Sequence, residues 1–352
     1  MAGRRHVVAG AGVVGAAIAY HLAAAGADEV VLADVGTVAS GASGKALGGV
    51  RQQFSSAPEV KLARESVAFF RSLDADLFTP VGYLFLATTP DGVEELERRR
   101  EVQAGLGVPV ERVDAGRVAG LEVSDVLSAV FCGEDGTADP AGVTRELVRR
   151  AVNLGVEVRE QTDALELEAD VLVLATGAAS AALAAKLGLE LPVRPLVRQL
   201  VETEPVPGLP ADLPLVVEAE SGFHFRRRGA GLVLAMPEER LRWSSDETVD
   251  DSLTGDWLAR AARRFPAAAG VPVARAWAGL YDMTPDAHPI LGEVADGVYA
   301  ACGFSGHGFM QSPAVGRIVA DELLGRDPGF DLAPYRPARF ADGAVFPETA
   351  IL

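Results

Sequence analysis

Cysteine occurs only twice in the 352 residues, at Cys132 and Cys302, far apart and in no metal-ligand spacing. That scarcity excludes a disulfide-stapled scaffold and argues against a zinc site, so no metal is expected and a reducing, cytoplasmic setting is the default. Lysine is nearly as scarce: Lys45, Lys61 and Lys186 are the whole complement. The formal net charge is −17, which argues against nucleic-acid and anionic-membrane partners, since both demand a basic face. The basic cluster Arg226–Arg228 reads as a solvated edge. No repeat or low-complexity tract occurs. A long apolar run is missing too. The segment after Arg4 and Arg5 comes nearest, but it carries four glycines between positions 10 and 26 and an internal histidine, His21. It also runs straight into VVLAD, so it reads as strand, turn, helix and second strand, not as a signal peptide or membrane span.

Glycine, by contrast, is plentiful and clustered, with 38 in the chain. The first cluster lies in HVVAGAGVVGAAIAYHLAAAGADEVVLAD, where Gly10, Gly12 and Gly15 have G-x-G-x-x-G spacing. A buried strand (Val7–Ala9) precedes it, a helix with Val14, Ile18 and Leu22 on one face follows, and a second strand (Val30–Ala33) ends in Asp34. Such a unit binds a dinucleotide. Its glycines allow a tight turn, close approach to the pyrophosphate and close helix–strand packing. The helix N-terminus, at Val13 and Val14, offers N–H groups to the phosphates, and Asp34 can accept hydrogen bonds from the adenosine ribose. The alternative is a glycine-rich packing site with no ligand. This motif does not separate NAD from FAD.

The loop SGASGKALGGVRQQF (Ser40–Phe54) follows, where an NAD domain usually continues into a helix. Its small residues, Ser43, Gly44, Gly48 and Gly49 beside Lys45, suit a backbone threaded along a bulky planar ligand; a plain surface loop is the other reading. Helices are expected over Pro58–Leu73, Ala141–Leu154 and Thr254–Phe265, and strands over Tyr83–Thr89 and Val156–Arg159. ADVLVLATGAAS is a wholly apolar strand of the buried parallel kind, ending in Ala175, Thr176 and Gly177. LPVRPLVRQLVETEP and FHFRRRGAGLVLAM read as antiparallel strands. Nucleotide-binding pieces at both ends and in the middle imply two interleaved domains. The assignment is 1–75, 141–190 and 275–330 for cofactor binding, 76–140 and 191–274 for substrate, and 331–352 as a tail.

The second glycine cluster, GFSGHGFMQSPAVG from Gly303, completes a pattern. Together with GAGVVGAAIAYHLA, ASGKALGGVRQQF, DGTADP, VLATGAAS and WAGLYDMTPDAHPILG, it resembles the D-amino-acid-oxidase-like flavoproteins. Within them the likeness is to the branch of sarcosine oxidase, dimethylglycine dehydrogenase and glycine oxidase, and it covers nearly the whole chain in order. The resemblance implies an α/β fold: a Rossmann-type FAD-binding domain interleaved with a mixed, largely antiparallel substrate domain. It also implies FAD as cofactor and oxidation of the C–N bond of an amine or amino acid. Hydride passes from the carbon α to nitrogen to flavin N5, and water hydrolyses the imine. By the same likeness Gly303, Gly306, Gly308, Phe309 and Met310 run along the flavin ring. Amides at Gly306–Phe309 then face its N1 and C2 carbonyl, where a helix N-terminus favours negative charge.

For substrate, the resemblance assigns Arg51 to a carboxylate, which a guanidinium fork suits; a surface or phosphate arginine is the alternative. Tyr281 matches a pocket-lining tyrosine, and His224 sits where relatives carry an aromatic, with a core histidine as the other reading. His307 is read as structural in preference to an acid or base, and His288 as structural. Gly279 stands where some sarcosine oxidases attach flavin through cysteine, and the N-terminal loop has no histidine, so FAD is expected to be non-covalent. Met310 and Val233 occupy positions where relatives carry lysines, the second of them oxygen-activating. Slow reaction with oxygen is therefore expected, and a pocket with no second basic group. The short QTDALELE replaces a hairpin of the relatives and is expected to lie away from the site. Oxidation of a 2-hydroxy acid, with His224, His288 or His307 as base, and a non-catalytic place in a hetero-oligomer are the alternatives.

Overall fold

The computed structural model describes residues 3–348, so residues 1, 2 and 349–352 of the outer segments lie outside the described residues. The apolar strand Arg5–Ala9 is central to a six-stranded sheet. Its order is Ile290–Ala295, Val298–Cys302, Val171–Leu174, Arg5–Ala9, Glu29–Ala33 and Glu157–Arg159. Every pairing is parallel except that of Ile290–Ala295 with Val298–Cys302. Both faces are covered, as parallel strands require. Helices Val13–Ala24, Pro140–Asn153 and Gly308–Leu323 pack on one face through Ile18, Leu22, Leu147, Val315 and Ile318. On the other, Val7, Leu172 and Leu174 meet Ala184 and Leu191.

The second sheet has eight strands, in the order Val273–Met283, Arg194–Thr203, Gly231–Ala235, His224–Arg228, Leu215–Glu218, Tyr83–Ala87, Ser128–Cys132 and Val110–Arg112. All its pairings are antiparallel but one, that of Leu215–Glu218 with Tyr83–Ala87. The chain crosses between the sheets repeatedly, so the interleaved α/β architecture is as expected. One boundary differs. Residues 275–283, grouped in the sequence with the cofactor-binding segments, pair with Arg194–Thr203 along the length of that strand. Their backbone hydrogen bonds therefore belong to the eight-stranded sheet. A three-stranded sheet of Gly49–Val50, Phe78–Thr79 and Gly136–Ala138 holds the segment that leads into Arg51. Among the described residues no helix is long and apolar enough to cross a membrane.

The RRR stretch is not a solvated edge throughout. Arg226 lies mid-strand in His224–Arg228 and is buried opposite Val233, whereas Arg228, on the same face at the strand's end, is exposed. Burial pushes the Arg226 guanidinium down to about 10.

Candidate active site

A cavity of about 630 Å³ lies between the two sheets, and both glycine clusters open onto it. At one end the first helix begins at Val13, and Gly12 gives it no side-chain cap. Gly12, Val13 and Val14 line the cavity there. Gly10 has φ +108, and a Cβ on it would come within 2.4 Å of the Ala175 carbonyl oxygen. Ala175, Thr176 and Gly177 form the facing wall. A Cβ on Gly15 would lie 1.9 Å from the Gly10 carbonyl oxygen, so this glycine serves helix–strand contact and does not line the cavity. Ser43 Oγ accepts from the Val13 amide at 2.9 Å, which ties the Ser40–Phe54 loop to the helix start. Asp34 accepts from the amides of Ala11 and Gly36, both at 2.7 Å. The turn, the bare helix start and the acidic strand end fit the ribose-diphosphate portion of FAD.

Of the other loop residues assigned to the cofactor, Lys45, Gly48, Gly49 and Gly279 line the cavity. Gly44 does not: a Cβ there would meet the Ala39 carbonyl oxygen at 2.3 Å, so it allows the short turn Ala42–Lys45 to close. Gly303 also stands back. Its amide donates to Asp282 Oδ2 at 2.7 Å, and burial pushes the Asp282 carboxyl up to about 6 while neighbouring amides oppose the rise. That contact fixes the loop so that Gly306, His307, Gly308, Phe309 and Met310 all face the cavity. Gly306 has φ +95, and a Cβ on it would lie 2.4 Å from the Tyr281 ring. Only a bare backbone passes there. The helix Gly308–Leu323 starts at this point, capped by no side chain from His307.

The four residues assigned to substrate, Arg51, His224, Tyr281 and His307, all line this cavity. Arg51 is 1% exposed; its guanidinium lies 4.1 Å from the Phe54 ring centroid and donates to the Gln53 carbonyl. Buried Asp135 supports it from behind, accepting from the Gln52 amide at 2.9 Å and Gln53 Nε2 at 3.0 Å. Burial pushes the Asp135 carboxyl up to about 6, and these donors oppose the shift. His224 Nδ1 sits 2.8 Å from the Gly222 carbonyl oxygen. A carbonyl only accepts, so Nδ1 carries the proton. Burial pushes the imidazole down to about 4, which leaves it neutral near neutral pH with an accepting Nε2. His307 packs edge-on against Phe54, centroids 5.0 Å apart. His288 lies elsewhere, held between Glu59 Oε1 at 2.9 Å and the Phe346 carbonyl oxygen at 2.6 Å.

Several features of the cavity differ from what the sequence suggests. QTDALELE is not remote: Thr162, Asp163 and Ala164 line the cavity, and the Thr162 amide donates to the Asp34 carbonyl at 2.8 Å. A second basic group is present after all. Arg198 lines the cavity from the strand Arg194–Thr203. Tyr83 and Glu247 were not singled out either; Glu247 pairs with Lys45 across the opening. Val233 is buried and does not line the cavity, whereas Ala235, two residues along the same strand, does.

The chain belongs to the FAD-dependent oxidoreductase (DAO) family, whose model matches residues 5–322, and its cofactor is FAD. It is 29% identical over 367 residues to a glycine oxidase of Geobacillus kaustophilus, covering 94% of this chain and 96% of that protein. It is 28% identical over 375 residues to a 4-methylaminobutanoate oxidase (formaldehyde-forming) of Paenarthrobacter nicotinovorans. That match covers 96% of this chain and 46% of the relative, so the chain spans under half of that protein. Among solved structures, L-proline dehydrogenase from P. horikoshii superposes with a TM-score of 0.90 at 27% identity, over 98% of this chain and 99% of that one.

Proposed function

We propose that this protein oxidises the C–N bond of an amino acid or N-alkyl amino acid, with FAD held non-covalently in the cavity between the two sheets. The carrying observation is the buried Arg51, stacked on Phe54 inside a cavity whose far end is the Gly10–Gly15 turn. Gly10, Gly12, Val13, Val14, Asp34 and Ser43 would hold the nucleotide portion, and Gly279 with Gly306–Phe309 the ring portion. When bound, FAD supplies the two-electron acceptor for the C–H bond next to nitrogen.

The chain's own residues supply binding, orientation and charge. Arg51 holds the substrate carboxylate through charge-assisted hydrogen bonds, in a site dry enough to strengthen them. Neutral His224 offers its Nε2 as acceptor to an N–H of the substrate nitrogen without taking a proton. Tyr281, fixed against Gly306, closes one wall. The start of the helix Gly308–Leu323 favours negative charge beside it. The glycine oxidase and proline dehydrogenase likenesses support an amine-bearing acid as substrate.

The test is anaerobic addition of sarcosine, proline and a set of D- and L-amino acids to the purified flavoprotein, beside the matching 2-hydroxy acids. At least one amine should bleach the flavin, and Arg51→Met should raise KM for it by about 10–100-fold, the loss of a charged hydrogen-bonded pair. Bleaching by hydroxy acids alone would overturn the proposal.

A further inference from the structure

Arg198 has no counterpart among the residues the family likeness assigns. It stands on the strand Arg194–Thr203, directly paired with Gly279, so its side chain rises on the cavity face beside a position with no side chain. The alternation is visible in its neighbours. Leu200 also lines the cavity, whereas Gln199 faces away, where its Oε1 accepts from the Asp250 amide at 2.8 Å. Arg198 Cζ lies 5.8 Å from the Tyr281 ring centroid. Its Nε and Nη1 are buried and have no hydrogen-bond partner among the described residues. Buried guanidinium donors without acceptors are costly, and a paired anion removes that cost.

Among the described residues that line the cavity, no carboxylate is left over to serve as that anion. Four carboxylates line the cavity, Asp34, Asp163, Glu247 and Asp282, and each is already engaged. Asp34 and Asp282 accept from backbone amides at 2.7 Å. Asp163 pairs with Lys186 at 3.1 Å, and Glu247 with Lys45. Two guanidinium groups therefore flank Tyr281, Arg51 and Arg198. Burial raises the phenol of Tyr281, and both arginines pull it back.

We infer that Arg198 is a second carboxylate-recognition residue, and that the substrate is an amino acid with two carboxylates, one on Arg51 and the other on Arg198. This rests on the amino-acid reading above and narrows its substrate class. The net charge of −17 makes such local cations more necessary, since the overall field opposes a dianion.

The experiment titrates the purified flavoprotein with two unreactive acids, acetate and glutarate, and follows the flavin's visible spectrum. The wild type should bind glutarate at least tenfold more tightly than acetate, equivalent to about 1.4 kcal/mol. Arg198→Met should bring glutarate to within about twofold of acetate and leave acetate unmoved; Arg198→Lys should restore part of the preference. Equal binding of the two acids by the wild type overturns the inference even if no variant folds. So does an equal loss for both acids in Arg198→Met. Lower flavin content in that variant with the preference intact places the guanidinium on the cofactor, and also overturns it. If neither acid perturbs the wild type, carboxylate recognition itself has failed, and the amino-acid reading falls first.

Discussion

Replacing Gly10 with alanine should empty the nucleotide end of the cavity. The backbone there has φ +108, a conformation that costs an L-residue roughly 1–2 kcal/mol. The added Cβ would also sit 2.4 Å from the Ala175 carbonyl oxygen, where real Cβ contacts stay beyond 3.0 Å, so that carbonyl must retreat by at least 0.6 Å (3.0 − 2.4). Neither partner moves easily. The Gly10 amide donates to the Ala33 carbonyl at 2.7 Å, and the Ala175 amide to the Ala9 carbonyl at 2.9 Å, so both are tied into the parallel sheet. Overpacking of this kind costs about 1–3 kcal/mol, giving a total of roughly 2–5 kcal/mol. The displaced wall is Ala175–Gly177, so FAD binding should suffer beyond the loss of stability. Gly26→Ala is the control: φ there is +86, but a Cβ would meet nothing within 4 Å. Thermal melting with measurement of retained flavin after gel filtration separates the two. Gly10→Ala should melt early and lose flavin, while Gly26→Ala keeps flavin and loses only the roughly 1–2 kcal/mol backbone term. A Gly10→Ala protein as yellow and as stable as the Gly26→Ala control would refute the reasoning.

Stability should fall in mild acid partly through His224. The unfolded imidazole takes up a proton below about 6.5 while the folded one resists until about 4, so this contribution is full above the first value and is lost between them, about 3 kcal/mol in all. Denaturation of wild type and His224→Asn at several pH values should therefore give curves that converge by about that amount toward acid; parallel curves would contradict it. Asp135→Ala strands the Gln52 amide and Gln53 Nε2, and should cost about 3 kcal/mol by urea denaturation, with Asp135→Asn milder. An unchanged midpoint for Asp135→Ala would show that this carboxylate supports nothing. Gly279 offers no thiol, so acid precipitation should leave all flavin in the supernatant; colour in the washed pellet would contradict non-covalent binding.

The glycine turn, the helix behind it and Asp34 were legible because they are contiguous: one short stretch carries strand, turn, helix and acidic end. Arg51, Tyr281, His224 and His307 were found through their surrounding motifs, and the fold brings them to one cavity. Arg198 was not found, for a physical reason. Strand alternation in RPLVRQLVET says that Arg198 and Gln199 face opposite sides, but not which side is the cavity. That depends on pairing with Gly279, 81 residues away (279 − 198). The burial of Arg226 is likewise set by pairing, since it depends on where the strand Gly231–Ala235 lies against His224–Arg228, which the local run of arginines does not show. In QTDALELE only the shortness of the segment is visible locally. Its approach to Asp34 comes from the parallel pairing of Glu29–Ala33 with Glu157–Arg159.

The most direct test is a crystal structure of the purified yellow protein. FAD should lie along the cavity with its diphosphate at the Gly10–Val14 turn and its ring between Gly279, Tyr281 and Gly306–Phe309, facing Arg51. A colourless protein that takes up no FAD, or a flavin ring placed beside Asp34 and away from Arg51, would contradict the account.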